Sequence, residues 1–454
     1  MAAFTSLERR AAGSLSLVYV TRMMGLFLLL PVMSIAGQEL SGATPLLIGV
    51  AIGIYGLFQA FLQIPFGLLS DRYGRKPLIY LGLILLIIGS LIAAAADSIW
   101  GVIVGRALQG AGAISAAVIA LAADLTRDDQ RTKMMAIIGA SIGASFILSI
   151  MLGPVLMTVV GLNGIFLAIA LLGTLSLLVM RFLVPQPRGM EMNRDVSVVA
   201  SQLRNMLTHP QLVRLDIGIL FLHFLITATF VCVPLGLVER SIAPDSHWQV
   251  YFMACVLSLL IVVPMVGFGE ARWGVRRVMI VSIVGLALSE FLIGAVNDNW
   301  WLVVGSLVVF FGFLNVLEAI LPSLVSRIAP AASRGSAMGV YSTSQFLGAF
   351  LGGVFGGWIH GAFGLGMAHV VIGVLCLAWL VVVYGMTEPE KLASYRASLP
   401  TDSSLAPTEL KDRIGHLQGV EEVSLQKAEQ SIYLKINKKE FDEEQFRQLL
   451  QEAR

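Results

Sequence analysis

Gly67-Leu68-Leu69-Ser70-Asp71-Arg72-Tyr73-Gly74-Arg75-Lys76-Pro77 joins two long apolar runs, and its reading decides the fold. Asp71, Arg72, Arg75 and Lys76 stand between hydrophobic stretches of membrane length, so the segment is a short hairpin that cannot lie in lipid. A weaker echo, Gly267-Phe268-Gly269-Glu270-Ala271-Arg272-Trp273-Gly274-Val275-Arg276-Arg277, occupies the matching place in the second half. A charged hairpin repeated in both halves implies duplication, and with it a membrane transporter.

The chain has 454 residues, 57% hydrophobic and 13% charged, with a mean hydropathy of +0.82. Soluble globular chains carry about 25% charged residues, so most of this one is built for a medium other than water. A net charge of +2 gives no reason to expect a nucleic-acid partner. Cys232, Cys255 and Cys376 lie in apolar runs, with no CxxC and no clustered histidines. They read as small core or lipid-facing residues, and no metal or other cofactor is expected. The first ten residues lack a short apolar region with a cleavage site, so no removed signal peptide is expected.

A spanning helix needs about 20 predominantly apolar residues. Runs meeting that test lie near 12–37, 44–69, 76–96, 99–123, 132–160 and 163–185. Six more lie near 214–238, 247–269, 277–296, 299–328, 335–360 and 363–386. Lipid tolerates no unpaired backbone, so an all-α membrane bundle of twelve helices in two pseudo-symmetric halves is predicted. One set of helix ends carries Arg9, Arg10, Arg72, Arg75, Lys76, Arg127, Arg131, Lys133, Arg188, Arg194, Arg204, Arg272, Arg276, Arg277 and Arg334. The opposite set has only Arg240, beside Asp97, Asp245 and Asp298. Both hairpins and both termini are therefore expected in the cytoplasm. The chain divides into a bundle at 1–185, a cytoplasmic connector at 186–213 and a second bundle at 214–386. The connector, with Arg194, Leu203, Arg204, Met206 and Leu207, reads equally as a surface amphipathic helix or a solvated tether.

Beyond Tyr384 the composition turns polar. Pro389, Pro400 and Pro407 among Ser, Thr and Asp read as a linker over 387–407. Residues 408–417 have helical spacing, with Leu410, Ile414 and Leu417 on one face. Residues 432–436 alternate as a half-buried strand and 420–425 do so less cleanly, with a turn at 427–430. Residues 441–450 are helical again, opening on Asp442-Glu443-Glu444, which suits the helix dipole. The order predicts a small α+β sandwich at 408–454, too polar to join the bundle.

These features resemble a known family. The 67–77 hairpin is similar to the cytoplasmic loop signature of the major facilitator superfamily, with Gly67, Asp71, Arg72, Gly74, Arg75 and Lys76 at motif positions. Arg106-Ala107-Leu108-Gln109-Gly110 with Gly112 resembles the arginine motif of its proton-coupled members. Gly153-Pro154 resembles the end of its antiporter motif, although Ala140 and Ser149 stand where further glycines are usual. The likeness covers 12–386 and is similar to the drug:proton antiporter branch with twelve spans. It implies a multi-pass protein of the bacterial inner membrane whose partners are the bilayer, protons and a small-molecule substrate. The tail resembles a ferredoxin-like module related to heavy-metal-associated domains. It has no cysteine, so the likeness does not extend to thiolate metal ferrying.

Individual residues sharpen the expectation. Gly67 permits close helix approach, and Gly74 a turn that a side chain would hinder. Asp124, ending the fourth span, is a candidate partner for Arg75. The resemblance implies that Asp71, Arg75 and Asp124 form a relay latching an outward-facing state; a static basic anchor is the plainer alternative. Arg106 stands two turns into the fourth span, where a charge costs roughly 2.5–3.5 kcal/mol. It serves proton coupling or an interhelical bond. Arg22, with Tyr19 on the same helix face, sits too deep to snorkel and is read as cavity-lining, coupling or interhelical. Glu318, with Asn315 before it and Pro322 after, is the leading acid for proton exchange, and Glu290 ranks below it. Polar stripes run through Tyr55, Gln59 and Gln63; through Ser342, Gln345 and Gly348; and through His223 and Thr227. With Gln109, they either line a substrate cavity or bond helix to helix.

Three functions compete. The first is a secondary transporter exporting small hydrophobic or amphipathic compounds in exchange for protons. The second is a proton-coupled importer of a sugar or organic solute. The third is a membrane sensor signalling through its tail. An enzyme is not expected, since no nucleophile–base set appears, and no GxxxxGK[ST] motif offers direct ATP drive. The tail contacts the cytoplasmic loops, binds a soluble ligand or aids assembly; its sequence does not choose.

Overall fold

The computed structural model describes residues 4–127, 130–186, 206–295, 299–329, 334–387, 393–398, 407–426, 431–437 and 440–452. Most of the 186–213 connector, the basic residues Arg188, Arg194 and Arg204, Asp298 and the turn at 427–430 lie outside them. Helix α1 (Ser6–Phe27) opens on a reciprocal cap: the Glu8 amide donates to the Thr5 hydroxyl and the Thr5 amide to the Glu8 carboxylate. The expected first span, 12–37, is interrupted. The α-helix stops at Phe27, and a separate turn, Met33–Ala36, follows. Pro31 has no amide to donate, so the helical ladder loses a rung there.

The remaining helices of the first half are α2 (Pro45–Tyr73), α3 (Arg75–Ala94), α4 (Ile99–Ala111), α5 (Ser115–Asp124) and α6 (Arg131–Phe182). Those of the second are α7 (Pro210–Glu239), α8 (His247–Pro264), α9 (Val275–Ala295), α10 (Trp300–Ile328) and α11 (Arg334–Tyr384). A π-helical turn, Met265–Gly269, continues α8 toward the second hairpin. Among the described residues, nine helices are long and apolar enough to cross a membrane. Helix α1 is outside that number; Glu8, Arg9, Arg10 and Arg22 all lie in it. Side chains such as Leu171, Val263 and Val381 are exposed on the outer surface, as a lipid-facing bundle requires.

The two halves repeat each other's breaks. Gly74 and Gly274 each sit between two helices with φ of 97° and 79°, a conformation that glycine adopts without penalty. The long helices α6 and α11 are each interrupted by one glycine, Gly161 at φ 67° and Gly364 at φ 78°. The halves meet along α2 and α11 at near backbone contact. A methyl on Gly49 would overlap the carbonyl oxygen of Gly353, and one on Gly53 would lie 2.7 Å from that of Phe350. Aromatic rings also bridge the halves, with Phe27 and Phe146 of the first near Phe230 and Phe311 of the second. These contacts lie in the middle and toward the end opposite the hairpins, called here the far end.

The tail is an antiparallel sheet in the order β1-β3-β2, built from β1 (Ala393–Ser398), β2 (Val420–Gln426) and β3 (Ser431–Ile436). Helices α12 (Pro407–Gly415) and α13 (Glu443–Glu452) contribute Leu410, Ile414 and Phe446 to a core with Ile432, Leu434 and Ile436. Reading 387–407 as a linker is corrected by β1, which pairs with β3 over its whole length. Its sequence, Ala-Ser-Tyr-Arg-Ala-Ser, lacks the β-branched residues that mark strands, and its order comes from the ladder and from Tyr395 packing on Phe441 and Phe446.

Overpacking a tight contact costs about 1–3 kcal/mol. Gly49→Ala is expected to lower the thermal midpoint of the detergent-purified protein. Gly305→Ala, where an added methyl meets nothing within 4 Å, should leave it unchanged.

Candidate functional site

The polar interior of the first half is built on two arginines. Arg106 of α4 is 1% exposed and donates to the carbonyls of Gly25 (3.2 Å), Ala51 (3.3 Å) and Ile52 (3.3 Å) and to Gln109 Oε1 (2.9 Å). Its guanidinium lies 5.0 Å from the centre of the Tyr55 ring. Gln109 passes the connection to Ser90 of α3 at 2.8 Å. The acceptors come from α1, α2 and α4, so one fork ties three helices. Helices α2 and α4 press together here, with Gly110 packed on the Tyr55 backbone.

Arg22 of α1 is also buried. It donates to Ser115 Oγ at 2.7 Å, to the Gly112 carbonyl at 3.2 Å and to Gln59. The Gly112 carbonyl lies in the break between α4 and α5, where it also accepts from the Ile114 amide at 2.8 Å. Gln59 continues to Gln63 Oε1 at 2.9 Å. The structure thus brings Tyr19, Arg22, Gln59 and Gln63 into one cluster, and Tyr55, Arg106 and Gln109 into another beside it. These acceptors of both arginines are all neutral.

The second half holds the acids. Glu318 of α10 has a side chain 43% exposed, with its carboxylate 4.0 Å from His223 Nε2 on α7. Gln345 of α11 donates to that same nitrogen at 2.7 Å, which keeps it an acceptor. Asn315 instead donates to the Phe311 carbonyl one turn back, at 2.8 Å. Sequence reading passed over two neighbours. Tyr341 is buried and within electrostatic reach of both Glu318 and Asp216, and Asp216 is 8% exposed on α7. An acid inside the apolar run Leu215-Asp216-Ile217 was the signal available.

At the hairpin, Arg75 pairs with Asp71 and lies 3.3 Å from Asp124 Oδ2, and it also donates to Ser70 Oγ at 2.8 Å. Arg72 stacks on Tyr73, 5.4 Å away, and takes no part. Lys76 donates to the Val184 carbonyl at 2.8 Å, at the end of α6. Gly67 faces Ala116 of α5 across ordinary contact distance. The second hairpin has its own tie: Arg327 of α10 grips Glu270 through both oxygens, at 2.5 and 2.9 Å. The cation is on the hairpin in one half and on the bundle helix in the other.

At the far end, a cavity of about 310 Å³ opens between the halves, lined by Ser34, Gln38, Thr44 and His360 among others. None of the expected cavity residues lines it.

Hydrogen bonds to charged groups contribute about 1.5–3 kcal/mol each, and lysine cannot reproduce a planar fork. Arg106→Lys is expected to cost at least about 2 kcal/mol, seen as a large fall in thermal midpoint. A midpoint within error of the parent would show that the fork does not hold α1, α2 and α4 together.

Comparison with known proteins matches this architecture. The Major Facilitator Superfamily model matches residues 15–269 and again 215–413. Inner membrane transport protein YajR of Escherichia coli is 42% identical over 446 residues, 98% of each chain. Uncharacterized transporter BU466 of Buchnera aphidicola is 34% identical, over 76% of this chain and 89% of that one. Multidrug resistance protein MdtH of Yersinia pestis is 24% identical over 78% and 88%. Among solved structures, a D-xylose-proton symporter superposes with TM-score 0.70 at 15% identity, covering 85% of this chain and 99% of that one. The nucleoside transporter NupG gives 0.63 at 15%, over 84% and 100%. At such identities the structures speak for the fold alone. The repeated hairpins, the paired glycine breaks and the matched sequence place this chain in the Major Facilitator Superfamily, a family of membrane transporters.

Proposed function

We propose that this chain is a proton-coupled secondary transporter of a bacterial inner membrane, exporting small hydrophobic or amphipathic compounds by alternating access. Counting each of α6 and α11 as two crossings, and adding α1, supports twelve spans in two six-helix halves. The excess of basic residues at the hairpin end supports a cytoplasmic placement for it and for both termini. The tail order β1-β3-β2, with helices after β1 and β3, supports a ferredoxin-like module.

The observation that carries the reading is the position of Glu318. It lies about two turns beyond Phe311 along α10, on the hairpin side of the rings and glycines that join the halves. A carboxyl that meets water on one side of such a closure takes or releases a proton in step with the rocking of the halves. His223 and Gln345 hold its surroundings polar without neutralising it permanently. Rings at Phe27, Phe146, Phe230 and Phe311 offer an apolar wall to an amphipathic cargo. The multidrug name of the MdtH relative supports export, whereas the symporter fold match leaves import as the competing outcome. Asp71, Arg75 and Asp124 act as the latch between states, and Arg22 and Arg106 hold the helices that must move together.

Proteoliposomes loaded with amphipathic dyes and given opposite pH gradients test this directly. Efflux in exchange for protons is expected, Glu318→Gln should abolish gradient-driven flux, and Asp71→Asn should slow flux at an unchanged thermal midpoint. Solute entry in the direction of proton flow would instead establish the importer. Gradient-driven flux unaffected by Glu318→Gln would remove this residue from coupling.

A further inference from the structure

Away from the clusters above, toward the far end of the second half, Thr229 of α7, Glu290 of α9 and His369 of α11 meet in a dry pocket. Their exposures are 1%, 1% and 2%. Glu290 Oε2 lies 2.8 Å from His369 Nδ1, and Oε1 lies 2.6 Å from Thr229 Oγ1. Thr229 Oγ1 is also 2.7 Å from the carbonyl of Leu225, one turn back on its own helix. The hydroxyl therefore has two close oxygen partners and a single proton.

That count has a consequence. With the threonine proton given to the Leu225 carbonyl, which only accepts, the contact with Glu290 is filled from the other side. We infer that Glu290 carries its own proton on Oε1 and donates it to Thr229, while His369 is a neutral imidazole donating from Nδ1 to Oε2. Both contacts of the Glu290 carboxyl are then satisfied at zero net charge, the cheapest arrangement in a low-dielectric interior. Among the described residues, the other titratable groups facing the carboxyl are the buried thiols of Cys232 and Cys376, which bring no countercharge, and Arg240 lies across the cavity that His369 lines. Helix α10 brings Val303, Ser306 and Leu307 to that cavity, and the Ser306 hydroxyl is spent on the Val303 carbonyl.

The site has a door. His369, Ser306 and Arg240 line a cavity of about 10 Å³, room for one water. Arg240 closes its outer edge by donating to the carbonyls of Gly236 and Ile293, both at 2.8 Å. The trio is thus a proton-binding site that exchanges with the far end through a single water. When the carboxyl is empty, one proton from the far-end solution passes through that water and His369 to Glu290, so the trio gains one proton and the water is left unchanged.

The test needs no transported substrate, so it succeeds or fails independently of the proposed function. In the purified full-length protein at neutral pH, Glu290→Gln preserves a donor to Thr229 and an acceptor for His369. Its thermal midpoint should stay within about 3 °C of the parent. A fall of about 10 °C would reveal a broken ion pair and overturn the assignment. Infrared spectra should show a protonated carboxyl C=O band that Glu290→Gln deletes and Glu318→Gln retains; its presence in Glu290→Gln would equally overturn it. Filling the cavity with Ser306→Leu, or with Val303→Phe should the first not fold, is expected to slow deuterium exchange of that band at least tenfold. Unchanged exchange in the folded variant would exclude the one-water route.

Discussion

A charge inside hydrocarbon has no water to turn to, and the arrangement of this bundle follows from that constraint. Arg106 meets it with three backbone carbonyls, an amide oxygen and an aromatic face. Those carbonyls belong to α1 and α2, so one guanidinium on α4 joins three helices. The second half meets the same constraint with the opposite polarity. Glu290 and Glu318 lean on a hydroxyl and on imidazoles rather than on cations. Each half is thus electrically lopsided within itself, and the two lopsided halves face each other across the closure made by α2 and α11.

Duplication is visible in what the halves do rather than in which residues do it. Both turn their hairpin on a glycine at positive φ, and both break their longest helix on another. Both tie the hairpin to the end of a neighbouring bundle helix through an ion pair. In one the arginine belongs to the hairpin, at Arg75; in the other it belongs to the bundle, at Arg327. The geometry of the tie has been kept while its sign has been exchanged, since a salt bridge between fixed elements works equally well either way round.

The parts of the fold legible from sequence are those with local signatures. The charged hairpin, the apolar runs and the punctuation by glycine and proline each act over a few residues. The same holds for the tail elements at 407–415, 431–436 and 443–452. Strand β1 was lost because nothing in Ala393–Ser398 alternates; its pairing with β3 lies more than thirty residues away. Site residues divide in the same manner. Arg22, Arg106 and Glu318 announced themselves as charges in apolar company, but their partners did not. A carbonyl has no sequence signal, and Glu270 with Arg327, or Glu290 with His369, become a pair only once helices pack. Tyr341 hid because tyrosine is ordinary in a membrane helix.

The last helix of each half ends in bare carbonyls, and cations from the same half close them. Arg10 reaches Phe182 and Leu183, Lys76 reaches Val184, and Arg276 reaches Tyr384. Basic side chains here act as stitches within a half. Each closing helix is finished, where the polypeptide leaves the bundle, by side chains that its own half supplies.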